Sequence, residues 1–250
     1  MQLEDKGRDN FHNYVKLLKR LIVNQNIHFD LIVGAGDSGM SMSKIAELVY
    51  IELGLVIPKL LTIPYYRFTK KNVSSGNEYL NPNTYLSKVI NTIQGISSIK
   101  HVLFVDDEIG QGNTVFGTIK ILEKVLPDTK YVDLYILAED HGFDPKVLKT
   151  EIKIFFKPFS NSQKDIYNAI SYIIPYEIEK YITEKYSDET IGSKVRMNSL
   201  FGLPSKEMVK SVPVWSYSIY NKLQKEIPNF SHLRIDFEKY IISLIRKAVQ

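Results

Sequence analysis

The stretch HVLFVDDEIGQGNT, His101 to Thr114, decides how the chain is read. It opens with a run apolar enough for a buried strand, sets two adjacent acids in its middle, and ends on Gly110, Gly112 and Thr114 where a helix would begin. A buried parallel strand that ends in carboxylates and turns through glycines into a helix is an α/β unit. Its polar residues lie at the carboxyl edge of the sheet, where such folds bind ligands. The glycine turn offers backbone N–H groups at a helix N-terminus, an anion cradle, next to carboxylates that accept from hydroxyls. A sugar phosphate needs both. Helix capping and a solvated turn would account for one of Asp106 and Asp107, but not for two acids set directly on an apolar strand.

Upstream, LIVGAGDSG (31–39) carries Gly34, Gly36 and Gly39 in the spacing of a dinucleotide-binding turn. In such a unit an acid about 20 residues further on, at the end of the second strand, holds the ribose hydroxyls. Here that strand ends IPYYRF (63–68) and holds no carboxylate. A nicotinamide or methyl-donor site would need its ribose acid from elsewhere, so the turn is read as a tight strand-to-helix connection.

The flanking chain alternates. Phe11, Val15, Leu18, Leu21 and Ile22 predict an amphipathic helix over 10–27. Then come a strand and turn at 30–36, a helix over 38–54, a strand entered after Pro58, an aperiodic polar loop over 67–84 and a helix over 85–95. Strands are expected at 101–105, 131–138 and 153–156, with a helix over 113–126 between the first two. Apolar strands separated by helices predict an α/β fold with a parallel sheet flanked by helices. Beyond Pro158 the pattern is helical over 165–186, 205–225 and 231–249. The expected organisation is an N-terminal helix (1–27), a core (28–158) and a helical accessory or hood region (159–250).

Composition excludes several classes. With no cysteine, the chain has no disulfide framework, thiolate metal site or thiol nucleophile. Its five histidines are scattered, and a net charge of +4 spread along the sequence does not predict nucleic-acid binding. No apolar run reaches the roughly 18 residues that cross a bilayer. The polar start MQLEDKGRDN is unlike a signal peptide, so a cytoplasmic protein without a membrane partner is expected.

The segment VLFVDDEIGQGNT resembles the phosphoribosyl-pyrophosphate (PRPP) signature of type I phosphoribosyltransferases: an apolar strand, Asp-Asp, a few variable residues, then Gly and Thr. The resemblance implies a phosphoribosyltransferase-like, Rossmann-type core. It also implies Mg²⁺ as cofactor, a nitrogen acceptor such as a nucleobase, and a homodimer. By the same resemblance Asp106 and Asp107 contact the ribose hydroxyls and, through ligand or water, the metal. Glu108, Ile109, Gly110, Gln111, Gly112, Asn113 and Thr114 form the loop for the 5-phosphate. Gly34, Ala35, Gly36, Asp37, Ser38 and Gly39 occupy the place of the pyrophosphate loop, and 67–84 that of the closing loop. Arg67, Lys70 and Lys71 are its candidate cations, against the plainer reading of solvated surface charges.

The pattern departs from the family at three positions. Asp37 stands where a basic residue is common, Gly110 where an acid often assists proton transfer to or from the acceptor, and Gln111 where Thr is usual. Two functions are consistent with this pattern: transfer of the phosphoribosyl group, or regulatory binding of PRPP or a nucleotide without turnover. In AEDHGFDP, Glu139, Asp140 and His141 either contact a base or metal-bound water or cap the next helix, with Asp140 placed in the ligand-binding set. Asp144 before Pro145 fits an N-cap. Trp215 either stacks on an acceptor base or belongs to a core, and Arg196 is undecided.

Overall fold

Five apolar runs become five strands. Leu31–Ala35 (β1), Lys59–Ile63 (β2), His101–Ile109 (β3), Asp133–Asp140 (β4) and Lys153–Pro158 (β5) pair side by side in the order β2-β1-β3-β4-β5, every pair parallel. The computed structural model describes residues 3–63, 98–126, 128–159 and 229–250, with single helical positions at 93 and 225. The loop expected at 67–84, Arg67, Lys70, Lys71, Arg196 and Trp215 lie outside the described residues. So do the helices expected over 85–95, 165–186 and 205–225, apart from those two positions.

A parallel sheet must be covered on both faces. Helices α1 (Leu3–Lys19), α2 (Gly36–Glu52) and α4 (Phe230–Val249) cover one face, and α3 (Asn113–Val125) covers the other. On the first face Ile32, Leu103, Val105 and Leu137 pack with Tyr14, Leu18, Ile45, Val49, Phe237 and Ile241. On the second Leu31, Val33, Phe104 and Ile136 pack with Val115, Ile119 and Leu122. The alternation along each strand sends successive side chains to opposite layers, which is why both kinds of residue are apolar.

The first and last helices share a layer. Phe237, Ile241 and Ile245 recur every fourth residue on α4 and are buried, each side chain contributing about 1.5–3 kcal/mol by burial. At the rim, Arg246 forms a two-pronged ion pair with Glu52 of α2, at 2.8 and 3.1 Å. Lys19 of α1 donates to the Val249 carbonyl.

The α/β class and the parallel sheet are as the sequence predicts, while several boundaries differ. The first helix begins at Leu3 and gives way to a π-helical turn, Arg20–Asn24. Helix α2 starts at Gly36 rather than 38, so no loop separates it from β1. Strand β3 continues past Val105 to Ile109, because β4 still lies beside it and its backbone pairing is indifferent to the acids. No described helix is long and apolar enough to cross a membrane.

Candidate ligand site at the strand-order switch

Strand β1 leads through α2 to β2 on one side, whereas β3 lies on the other side of β1 and leads to α3 on the opposite face. The order therefore reverses between β1 and β3. Doubly wound sheets bind ligands in the crevice outside the carboxyl ends of their strands at such a reversal. Both turns singled out in the sequence end there.

The β1–α2 turn is a direct junction. Gly34 and Gly39 lie against each other: a Cβ on Gly34 would stand 2.0 Å from the Gly39 carbonyl oxygen and 2.3 Å from the Ser43 hydroxyl. The Ser43 hydroxyl also donates to the Gly39 carbonyl, at 2.8 Å. These glycines are needed for strand and helix to touch. Ala35 is the N-cap residue and makes no side-chain cap. The backbones of Gly36, Asp37, Ser38 and Gly39 form the first helical turn, whose N–H groups have no partner within the helix.

Strand β3 carries a bulge at the acid pair. Val105 pairs with Leu137 and the next pair is Glu108 with Glu139, an advance from 105 to 108 on β3 against 137 to 139 on β4. The extra residue reverses the alternation: Phe104 faces α3, and beyond the bulge Ile109 does so, where an unbroken strand would send residue 108. Asp107 is buried and Asp106 half-buried. An Asp106 carboxylate oxygen accepts from the Asp107 N–H at 3.0 Å, and one of Asp107 from the Glu108 N–H at 2.9 Å. Burial, then the adjacent Asp107 carboxylate and more weakly Glu108, hold the Asp106 carboxyl well above the ordinary carboxylate range. Ligand hydroxyls or a cation would favour its ionised form.

The β3–α3 turn supplies an open helix end. Gly112 takes a left-handed φ of 72° as the N-cap of α3, again with no side-chain cap. A Cβ there would stand 2.5 Å from the Phe143 ring. Gly112's carbonyl accepts from the Phe116 N–H at 2.8 Å to begin the helix. The N–H groups of Asn113, Thr114 and Val115 precede that first bond and have no partner within the helix. Gly110 and Thr114 are half-buried and Gln111 is exposed, with its side-chain oxygen accepting from the Asn113 amide at 3.3 Å.

The end of β4 completes the rim. Asp140 is engaged by its own turn, one oxygen accepting from the N–H groups of Gly142 and Phe143, both at 2.9 Å. Asp144 caps the 3-10 turn Pro145–Val147 by accepting from the Lys146 N–H, the role expected of it. Glu139 is fully buried; it accepts from the Asn10 side-chain amide at 3.2 Å and lies 3.7 Å from His141 Nε2. Asn10 and Phe143 are the site residues that sequence reasoning missed. Asn10 had a signal: with Tyr14 and Leu18 it forms a stripe at helical spacing, a polar residue on an apolar face.

No family model matches the chain, and neither a curated protein nor a solved structure matches it. The site must be judged by its own chemistry.

Among the described residues no group of three His, Asp or Glu side chains could hold a metal ion. That donor set does not make a protein cage. A hard cation such as Mg²⁺, if held here, would be bound chiefly by a ligand's phosphates and water, with one or two carboxylates nearby.

Proposed function

We propose that the chain binds PRPP with Mg²⁺ in the crevice between β1 and β3 and transfers the phosphoribosyl group to a nitrogen acceptor, releasing pyrophosphate. One observation carries this reading: two helices open on either side of paired acids at the strand-order switch point. The first-turn N–H groups of both helices, set beside carboxylates, suit a ligand with an anion at each end and hydroxyls between.

In this reading the 5-phosphate accepts from the α3 amides and Thr114, and the pyrophosphate from the first turn of α2 and Ser38. Asp106 and Asp107 accept from the ribose hydroxyls. The C1–O bond to pyrophosphate breaks as the C1–N bond forms, through an oxocarbenium-like state, and the electron pair leaves with pyrophosphate. Mg²⁺, when bound, supplies neutralisation of leaving-group charge. Arg67 and Lys70 are the proposed cations for that same charge.

Gly110, in the place of an assisting acid, favours a second reading, a regulatory protein that holds PRPP without turnover. Isothermal titration with Mg·PRPP, together with pyrophosphate release across a panel of nucleobases, separates the two. Binding that weakens about 10–100-fold in Asp107→Ala, the loss of one or two charge-assisted hydrogen bonds, with release for one base, supports transfer. Binding without release supports the regulatory reading, and no binding overturns both.

A further inference from the structure

Glu139 is the one carboxylate among the described residues with no exposed surface, and burying such a group is costly unless it is paired and hydrogen-bonded. It sits at the end of β4 on the face that α1 covers. One oxygen accepts from Asn10 at 3.2 Å and the other faces His141 Nε2 at 3.7 Å. A carboxylate facing one ring nitrogen favours the tautomer protonated there, leaving the other nitrogen as a base. That spacing is slack for a hydrogen bond, as catalytic contacts often are before the substrate arrives.

His141 is also well placed. Its N–H bonds to the Ile109 carbonyl at 2.9 Å, which fixes it beside Gly110. A side chain at position 110 would begin 3.9 Å from the His141 carbonyl oxygen. The imidazole is 20% exposed, so it reaches both the buried Glu139 and the solvent side. Among the described residues, Glu139 and Asp140 adjoin it at the end of β4, and Glu108 of β3 pairs with Glu139.

We propose that His141, oriented by Glu139, takes the proton from the nitrogen acceptor, doing from the neighbouring strand what an acid at position 110 would do. The proposal rests on the transferase reading. As the acceptor nitrogen forms its bond to C1 and the C1–O bond breaks toward pyrophosphate, the N–H proton passes to His141 Nδ1. Glu139 stabilises the imidazolium until the proton leaves to solvent. Glu139 is a positioning residue and Asn10 its tether.

The test uses the full chain, Mg·PRPP and the nucleobase panel, with His141→Gln, His141→Ala and Glu139→Gln. Expected are a kcat about 100-fold lower in His141→Gln, an unchanged dissociation constant for Mg·PRPP, partial recovery of His141→Ala by added imidazole, and a smaller loss of kcat with little change in KM in Glu139→Gln. Imidazole ¹⁵N shifts of wild type should report the Nε2–H tautomer, lost in Glu139→Gln. Turnover by His141→Gln at the wild-type rate overturns the proposal and leaves the transferase reading standing. A His141→Ala loss that imidazole does not restore also overturns it, because it marks a structural role. Wild-type binding without release for any acceptor overturns the proton transfer while PRPP binding stands, and no wild-type binding overturns both.

Discussion

The β1–α2 and β3–α3 turns are both glycine-rich strand-to-helix connections at the same crevice, but their glycines serve different ends. In the first, Gly34 and Gly39 remove side chains so that a helix can start on the last residue of a strand. In the second, Gly112 supplies a left-handed backbone angle and makes room for Phe143, and a bulge just upstream displaces the acid pair. Both turns leave helix-end amides at the rim, but the first uses its glycines for packing, whereas the second also sets carboxylates there. A glycine motif is therefore ambiguous until its neighbours are known.

That contrast can be broken by substitution, most severely at Gly34. Its Cβ would collide with backbone, which cannot swing aside, so Gly34→Ala should cost about 3 kcal/mol or more, read as loss of soluble protein or a lower urea midpoint. An alanine accepted at less than about 1 kcal/mol would remove the packing account. Gly112→Ala should cost about 2 kcal/mol, combining left-handed strain with displacement of the Phe143 ring. Because the ring can move, Phe143→Leu should recover part of it in a double-mutant cycle, with a coupling of about 0.5 kcal/mol or more.

Asp140→Ala removes the acceptor for two turn N–H groups and should lower stability by about 1 kcal/mol. A loss of Mg·PRPP affinity beyond about tenfold would instead make Asp140 a ligand contact. The smallest effect is a gain. Because the fold raises the Asp106 carboxyl above its ordinary value, folding takes up a proton between the unfolded and folded values, and stability falls as pH rises through that window. Asp106→Asn should therefore raise the neutral-pH melting temperature by about 2–4 °C, near 1 kcal/mol, and show no gain below the ordinary carboxylate range. Equal gains at every pH would contradict the electrostatic cause.

Much of the frame was legible because apolar runs mark buried strands directly. The two ends of the crevice were legible for the same reason, since Asp106 and Asp107 interrupt such a run. Less visible was whatever depends on pairing across the sheet. The extension of β3 to Ile109 and its bulge are set by register against β4, which no local pattern records. Likewise, the partnership of Asn10 with Glu139 joins residues 129 apart in sequence. The strand order, and with it the switch between β1 and β3, is tertiary information.

The shared layer of α1 and α4 has a consequence for how the chain matures. Among the described residues, the α3 side of the sheet is assembled from positions before 160, whereas the other side needs Phe237, Ile241 and Ile245 from α4. During N-to-C synthesis the apolar residues of α1 and α2 must wait for the final stretch before their cover is complete, a long-range closure of the slow kind. A ribosome that stops short of α4 would release a chain whose α1 and α2 side lacks Phe237, Ile241 and Ile245 and lies open to aggregation or to chaperones.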